Sequence, residues 1–367
     1  MLSLYVHIPF CRRKCFYCSF PVAVAQYQFA ERYLDCLERE AQTWQDAKPK
    51  TIYIGGGTPS LLNADHLRRL LRIVRSVFDC SAVDEWTIEA NPEDIDEAKA
   101  RLFEREGLSR VSLGLQTFDT RLLNKMGRCH TADRGRRAFA CLRRAGCKHI
   151  NVDMMFALPG QALAQLRRDL KIITSLDPEH ISYYAFTVEQ ESRFEVEDVS
   201  PLPEDQQARQ YIEIGSALEK RGFRQYEVSN FAKDGEASRH NIHYWKGGNY
   251  IGLGVGAHSH LDGIRKWNGK RLRQYIVDVE AGRDPTEDSE SLSPARRLHE
   301  ALVYGLRMNA GVDLKGLERH FGLALEPEAV ENINDFCRSG LLFQDGVCLR
   351  ATPRGRLVLD EIAVRLI

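Results

Sequence analysis

Residues 4–20 read LYVHIPFCRRKCFYCSF. The run LSLYVHIPF, from Leu2, reads as a strand. Behind it Cys11, Cys15 and Cys18 stand in a CxxxCxxC spacing, and Phe20 occupies the place where a fourth thiol would come. A structural zinc usually takes four ligands, often from paired CxxC knuckles, and here there is one group of three. His7 could complete a tetrahedron, although from a strand its reach back over the loop is awkward. An iron–sulfur cluster normally takes four thiolates. Three leave one iron with an open position, which serves a cofactor or substrate that must bind metal directly, as the open position of a catalytic zinc does. The spacing therefore points to a reactive cluster.

Outward from this loop, strands and helices alternate. Strands are predicted at 51–60, 85–93, 110–118, 149–160 and 180–189, and helices at 27–44, 63–78, 93–107, 131–146, 165–176 and 204–222. Asn63 and Thr131 read as N-caps, and Gly107 and Gly146 as stops. About six βα units between Tyr5 and Gly222 argue for a parallel sheet with helices outside it. Six units are too few for a closed eight-stranded barrel. A partial barrel or an open doubly wound sheet remains, with the site at the C-terminal ends of the strands in either case.

The alternation breaks after Ala232. The stretch RHNIHYWKGGNYIGLGVGAHSH (239–260) is rich in Gly and His and shows no clean period. Helices at 293–311 and 328–342, a hairpin turning at Asp345-Gly346 and a last helix then suggest a winged-helix-like module. The expected division is 1–230 for the βα region, 231–270 for a connecting region and 271–367 for the second domain.

The 367 residues hold 51 basic and 51 acidic side chains, so no global field points to nucleic acid or a membrane surface. No apolar run spans a bilayer, and the N-terminus lacks the pattern of a secretory signal. The cytoplasm is the expected compartment. Ten cysteines in this length are too few for a disulfide scaffold, and the seven outside the loop are expected to pack as small apolar residues.

CRRKCFYC directly after an apolar strand resembles the signature of the radical S-adenosylmethionine (radical SAM) family, with Tyr17 before the third cysteine. The resemblance implies a partial (βα)6 TIM-like barrel. It implies a 4Fe-4S cluster on Cys11, Cys15 and Cys18 whose fourth iron chelates SAM. The glycine turn GGGTP (55–59) is by itself an ordinary tight turn. In this family it is the loop that holds the methionine amino group, which implicates Gly56, Gly57 and Thr58. Glu89, Gln116, Arg128 and Asp153 are read at or just past strand ends, where polar side chains face the barrel mouth. They resemble the SAM-binding positions of coproporphyrinogen-oxidase-like radical SAM proteins, as does Tyr5.

His240, His243, His258 and His260 lie within 21 residues, beside Tyr244 and Trp245. Imidazole is a natural haem-iron ligand and aromatics make apolar walls. The motif HNxxYW looks like that of the HemW-type haem chaperones, which makes His240 the haem candidate. The resemblance then implies a protein that binds haem and passes it to an acceptor protein, with an electron donor and with room for a homodimer. The alternative is an oxygen-independent coproporphyrinogen III oxidase of porphyrin biosynthesis. Those oxidases resemble CxxxCxxCxC, where this chain has Phe20, and carry an N-terminal extension, where this chain has ten residues before Cys11. Ser19 stands where the family often has an acidic residue. Whether SAM is turned over enzymatically, and so whether the chain is an enzyme, is left open by the residues. A third reading is a redox or interaction module with a structural zinc.

Overall fold

The computed structural model describes residues 1–367. Six parallel strands run in chain order: β1 (Leu2–Ile8), β2 (Thr51–Gly56), β3 (Glu85–Ala90), β4 (Arg110–Gln116), β5 (His149–Phe156) and β6 (His180–Ala185). Between them lie α1 (Ala30–Gln42), α2 (Ala64–Val77), α3 (Glu97–Arg105), α4 (Ala132–Arg144) and α5 (Leu163–Leu176), and α6 (Glu204–Glu219) follows β6. The sheet has two free ends, so the barrel is open, as six units require.

The strands alternate with period two. Leu4, Val6 and Ile8, Ile52 and Ile54, and Trp86, Ile88 and Ala90 join one large core with the apolar faces of the helices. The intervening positions are polar: Ser3, Tyr5 and His7; Thr51 and Tyr53; Glu85, Thr87 and Glu89; Ser112; Asn151 and Asp153; His180 and Ser182. The sheet thus presents a polar lumen, and its side chains bond one another. The predicted caps hold. The Asn63 side chain accepts from His66 N–H and the Thr131 side chain from Arg134 N–H.

Residues 239–291 form part of this same sheet. α7 (Arg239–Trp245) leads into β7 (Asn249–Leu253), which pairs parallel with β1 on the side away from β2. β8 (His258–Leu261), β9 (Ile264–Asn268) and β10 (Thr286–Ser291) extend it antiparallel. α8 (Leu272–Glu280) lays Leu272, Tyr275, Ile276 and Val279 into the large core. The buried Glu40 carboxylate of α1 joins these pieces. It accepts from the Tyr275 hydroxyl (2.5 Å), the Asn268 amide (2.6 Å) and Gly254 N–H (2.9 Å). The packing therefore runs through the expected boundaries at 231 and 271, and a second core begins only at Leu298. Short glycine-broken strands carry no readable period, which is why the sequence suggested a connector.

The C-terminal unit is winged-helix-like. α9 (Pro294–Arg307), β11 (Val312–Asp313), α10 (Leu314–Phe321) and α11 (Pro327–Arg338) precede the hairpin β12 (Leu342–Asp345) and β13 (Cys348–Ala351). α12 (Leu359–Leu366) closes the chain, and the three strands pair in the order β11-β13-β12. All ten cysteines are free. Cys36, Cys141 and Cys147 are in the large core as expected, whereas Cys129 is exposed. No helix is long and apolar enough to cross a membrane.

Candidate functional site

The cysteine loop sits at the C-terminal mouth of the parallel strands, where β1 ends. Phe16 pins its centre: Phe16 N–H donates to Met126 O and Phe194 N–H donates to Phe16 O, both at 3.0 Å. Arg193 lies over the Phe16 ring, 4.0 Å from its centroid. Tyr17 packs with the small apolar cluster of Leu122, Leu123, Met126, Met155, Leu158, Phe186 and Phe194. Phe20 is 59% exposed.

The glycine turn meets this loop from β2. Gly57 N–H donates to Ile8 O at 2.8 Å, and a Cβ at Gly57 would stand 2.7 Å from Pro9 O. Gly56 has φ +110°, and a Cβ there would meet the His7 ring at 2.5 Å. Gly57 is therefore demanded by close backbone approach at the end of β1, and Gly56 by its positive φ and the His7 ring beside it. The Gly56 N–H is taken by Glu89 Oε2 at 3.1 Å.

Bonds converge on two of the three thiols. Thr58 Oγ1 is 3.3 Å from Cys11 Sγ, and the Arg128 guanidinium donates towards Cys15 Sγ at 3.6 Å. Arg128 is also bonded to Asn91 Oδ1 (2.6 Å) and Gly114 O (2.8 Å), and Asn91 Nδ2 donates to Thr58 Oγ1 (3.0 Å). Arg128 does not sit at a strand end. A short helix, Thr120–Lys125, which the sequence reading missed, carries the chain back over the mouth and delivers it. Asn91 and Asp94 were missed too; the readable signal was Asn-Pro directly after a strand.

Behind this rim, Glu89 accepts from the Tyr53 hydroxyl at 2.8 Å, and burial pushes its carboxyl up to about 7. Asp153 lies within β5 rather than at its end. It accepts from Ser112 Oγ (2.7 Å) and Asn151 Nδ2 (2.8 Å), and burial raises it as well. Gln116 ends β4 in the left-handed region, φ +64°, with its side-chain amide beside Gly114. The Tyr5 hydroxyl bonds His7 Nδ1 at 3.1 Å. His7 Nε2 bonds Pro21 O at 3.1 Å, and burial lowers the ring to about 4. Both imidazole nitrogens are used, so His7 is no metal ligand.

His240 is not at this mouth. Its Nδ1 bonds Thr51 Oγ1 at 2.8 Å, at the opening residue of β2, whereas Gly56 is the last. Five residues at ~3.3 Å separate the two ends by roughly 16 Å. Glu85 accepts from His240 N–H, Arg239 N–H and Ser238 Oγ, and bonds the Arg110 guanidinium at 3.2 Å. The HNxxYW helix is thereby docked under the barrel floor. The His240 ring is enclosed by Tyr53 and Tyr244, its residue 1% exposed, with no open approach for a porphyrin to Nε2. The nomination of His240 as haem ligand does not fit this packing.

No three His, Cys, Asp or Glu side chains converge on one point as a single zinc requires. Thiols standing apart on one loop suit a cluster in which each binds a different iron. Burial pushes the Cys11 thiol up to about 12 and also raises Cys18, and binding of a metal at these sulfurs would displace their protons. Arg128 Nε, buried beside them, has no partner.

The Radical SAM superfamily profile matches residues 5–173, and the HemN C-terminal domain profile matches residues 292–358. The heme chaperone HemW of Bacillus subtilis (strain 168) is 35% identical over 99% of this chain and 98% of its own. The mitochondrial radical S-adenosyl methionine domain-containing protein 1 of Danio rerio is 32% identical over 98% of this chain and 85% of its own. Among solved structures, coproporphyrinogen III oxidase (HemN) from Escherichia coli aligns with TM-score 0.88 at 23% identity. The alignment covers 100% of this chain and 89% of that one, a likeness of fold.

Proposed function

The chain belongs to the HemW family of radical SAM proteins, and from that membership we propose that it is a haem carrier. In this reading it binds haem and hands it to an acceptor protein, in the cytoplasm, on a scaffold that holds a 4Fe-4S cluster and SAM. The observation that supports the cofactor assignment most is the meeting at one barrel mouth of the three-thiol loop, the glycine turn, Glu89 and Arg128. What supports a carrier over a decarboxylase is the near full-length likeness to proteins named heme chaperones, together with Phe20 in place of a further cysteine.

When bound, a reduced cluster supplies one electron to SAM. Cys11, Cys15 and Cys18 would hold three of its irons. Arg128 and Thr58 donate towards the thiolate sulfurs and offset their charge. Tyr53 holds Glu89, and Ser112 and Asn151 hold Asp153, so both carboxyls face the lumen pre-oriented for hydroxyl or ammonium groups. Tyr5, Tyr17, Gly56, Gly57 and Gln116 complete the proposed SAM contacts. An electron donor and a haem acceptor are the proposed partners.

The test is anaerobic reconstitution with iron and sulfide, followed by parallel assays with haem and with coproporphyrinogen III plus SAM and a reductant. Stoichiometric haem uptake without decarboxylation is the expected result. Turnover to protoporphyrinogen IX overturns the carrier reading, and a single zinc without acid-labile sulfide overturns the cluster.

A further inference from the structure

The turn after β3, Asn91–Asp94, bonds Arg12 of the cysteine loop directly and reaches its thiols through Thr58 and Arg128. We propose that Asn91 is the positioning residue of that loop. Its side-chain amide aims the Thr58 hydroxyl at Cys11 and the Arg128 guanidinium at Cys15, so that two cluster thiolates are held as hydrogen-bond acceptors. The inference rests on the cluster reading above.

A guanidinium only donates. Arg128 is 2.6 Å from Asn91 Oδ1, so the oxygen end of the amide must face it and the amide is not free to flip. Asn91 Nδ2 is then committed to Thr58 Oγ1 at 3.0 Å. Thr58 accepts there, and its single proton is left for Cys11 Sγ at 3.3 Å, because a metal-bound thiolate can only accept. At the other end Arg128 reaches Cys15 Sγ at 3.6 Å. One amide thus sets the direction of both contacts.

The backbone holds the amide in place. Asn91 precedes Pro92 and is extended, at φ −102° and ψ 144°. Its N–H donates to Ser60 Oγ at 3.0 Å, and Ser60 donates to Asp94 Oδ2 at 2.9 Å. Asp94 Oδ1 takes Arg12 Nε at 2.8 Å, a third tie to the loop, between Cys11 and Cys15. Space for the relay is kept by Gly114. A Cβ there would stand 3.2 Å from Asn91 Oδ1 and 3.4 Å from Arg128, closer than such contacts usually come.

Hydrogen bonds to cluster sulfurs stabilise the more negative, reduced form and raise its potential. The reconstituted full chain, without SAM, is therefore to be titrated for its cluster midpoint potential by electron paramagnetic resonance. Asn91→Asp keeps shape and still accepts from Arg128, but a carboxylate cannot donate to Thr58, so the hydroxyl turns away from Cys11. Thr58→Val removes the donor outright. Both are expected to shift the potential to more negative values, with far-UV circular dichroism unchanged. Thr58→Val added to Asn91→Asp is expected to give little further shift, because the hydroxyl has already been lost to Cys11. Wild-type potential in both single variants overturns the role of Asn91. If Asn91→Asp fails to fold, Thr58→Val alone decides whether the contact to Cys11 exists. A wild-type chain that takes up no iron and sulfide overturns the cluster reading instead, so the two failures are told apart.

Discussion

Replacing Glu85 by Ala undocks the HNxxYW helix from the barrel floor. The carboxylate is the only one bonded to Arg110, whose side chain is 7% exposed and whose Nη1 already lacks a partner. Removing it leaves a buried guanidinium with one bond, to Glu236 O at 2.9 Å. Breaking a buried pair from one side costs about 3–5 kcal/mol. The N–H groups of Arg239 and His240, in the first turn of α7, lose their acceptor as well, at about 1 kcal/mol each. The terms share one carboxylate and do not add, so about 4 kcal/mol is expected, against a total of roughly 5–15 kcal/mol for a folded domain. Urea unfolding of the cofactor-free protein, followed by far-UV circular dichroism, measures it. Glu85→Gln keeps an acceptor for α7 and is expected to cost about half as much. Replacing both partners by apolar residues, Glu85→Leu with Arg110→Met, is expected to recover most of the loss. A cost under about 1 kcal/mol for Glu85→Ala, the size of an exposed pair, refutes the docking, and a double variant no better than the single one refutes the stranded Arg110 charge as the larger share of the loss.

His240→Ala is expected to cost about 2–4 kcal/mol, through the lost Thr51 bond and the cavity between Tyr53 and Tyr244, while leaving the haem absorbance spectrum unchanged; a lost or shifted Soret band restores it as the ligand. Glu89 has its folded pKa raised to about 7 from an unfolded 4.5, so its contribution is fully present below pH 4.5 and is lost as pH rises to 7. Glu89→Gln is therefore expected to flatten that decline in urea midpoints of the cofactor-free protein, measured beside wild type because Tyr53 and Asp153 face the same carboxyl; parallel curves count against the burial. Gly57→Ala pushes a methyl onto Pro9 and Ile8 backbone atoms at 2.7–2.9 Å, which can yield only by moving the cysteine loop. It is expected to lose about 1–3 kcal/mol of stability and to incorporate less iron, and full iron content contradicts it.

The barrel was legible because each βα unit carries its own local signals. Leu4, Val6 and Ile8 pack outward at period two, and Asn63 and Thr131 cap as their positions suggest. β7 to β10 were not, because a short strand such as β7 broken by Gly252 has no period; what unites it with the barrel is Glu40, more than 200 residues away in the chain. The same distinction divides the site. The three cysteines are one local motif and were read directly. The relay from Cys15 through Arg128, Asn91 and Thr58 to Cys11 draws on four separated segments, and only the fold brings them into contact. His240 shows that residue type alone carries no depth: the imidazole nominated for haem is here paired with Thr51 on the barrel floor.

Haem transfer tests the central claim most directly. Cluster-reconstituted protein loaded with one haem is mixed anaerobically with an apo-haem protein such as apomyoglobin, and the Soret band of each is followed after separation. Stoichiometric loading and passage of haem to the acceptor, faster than haem is lost from the carrier alone, is the result expected. Failure to bind haem, with conversion of coproporphyrinogen III to protoporphyrinogen IX by the same preparation, would contradict it.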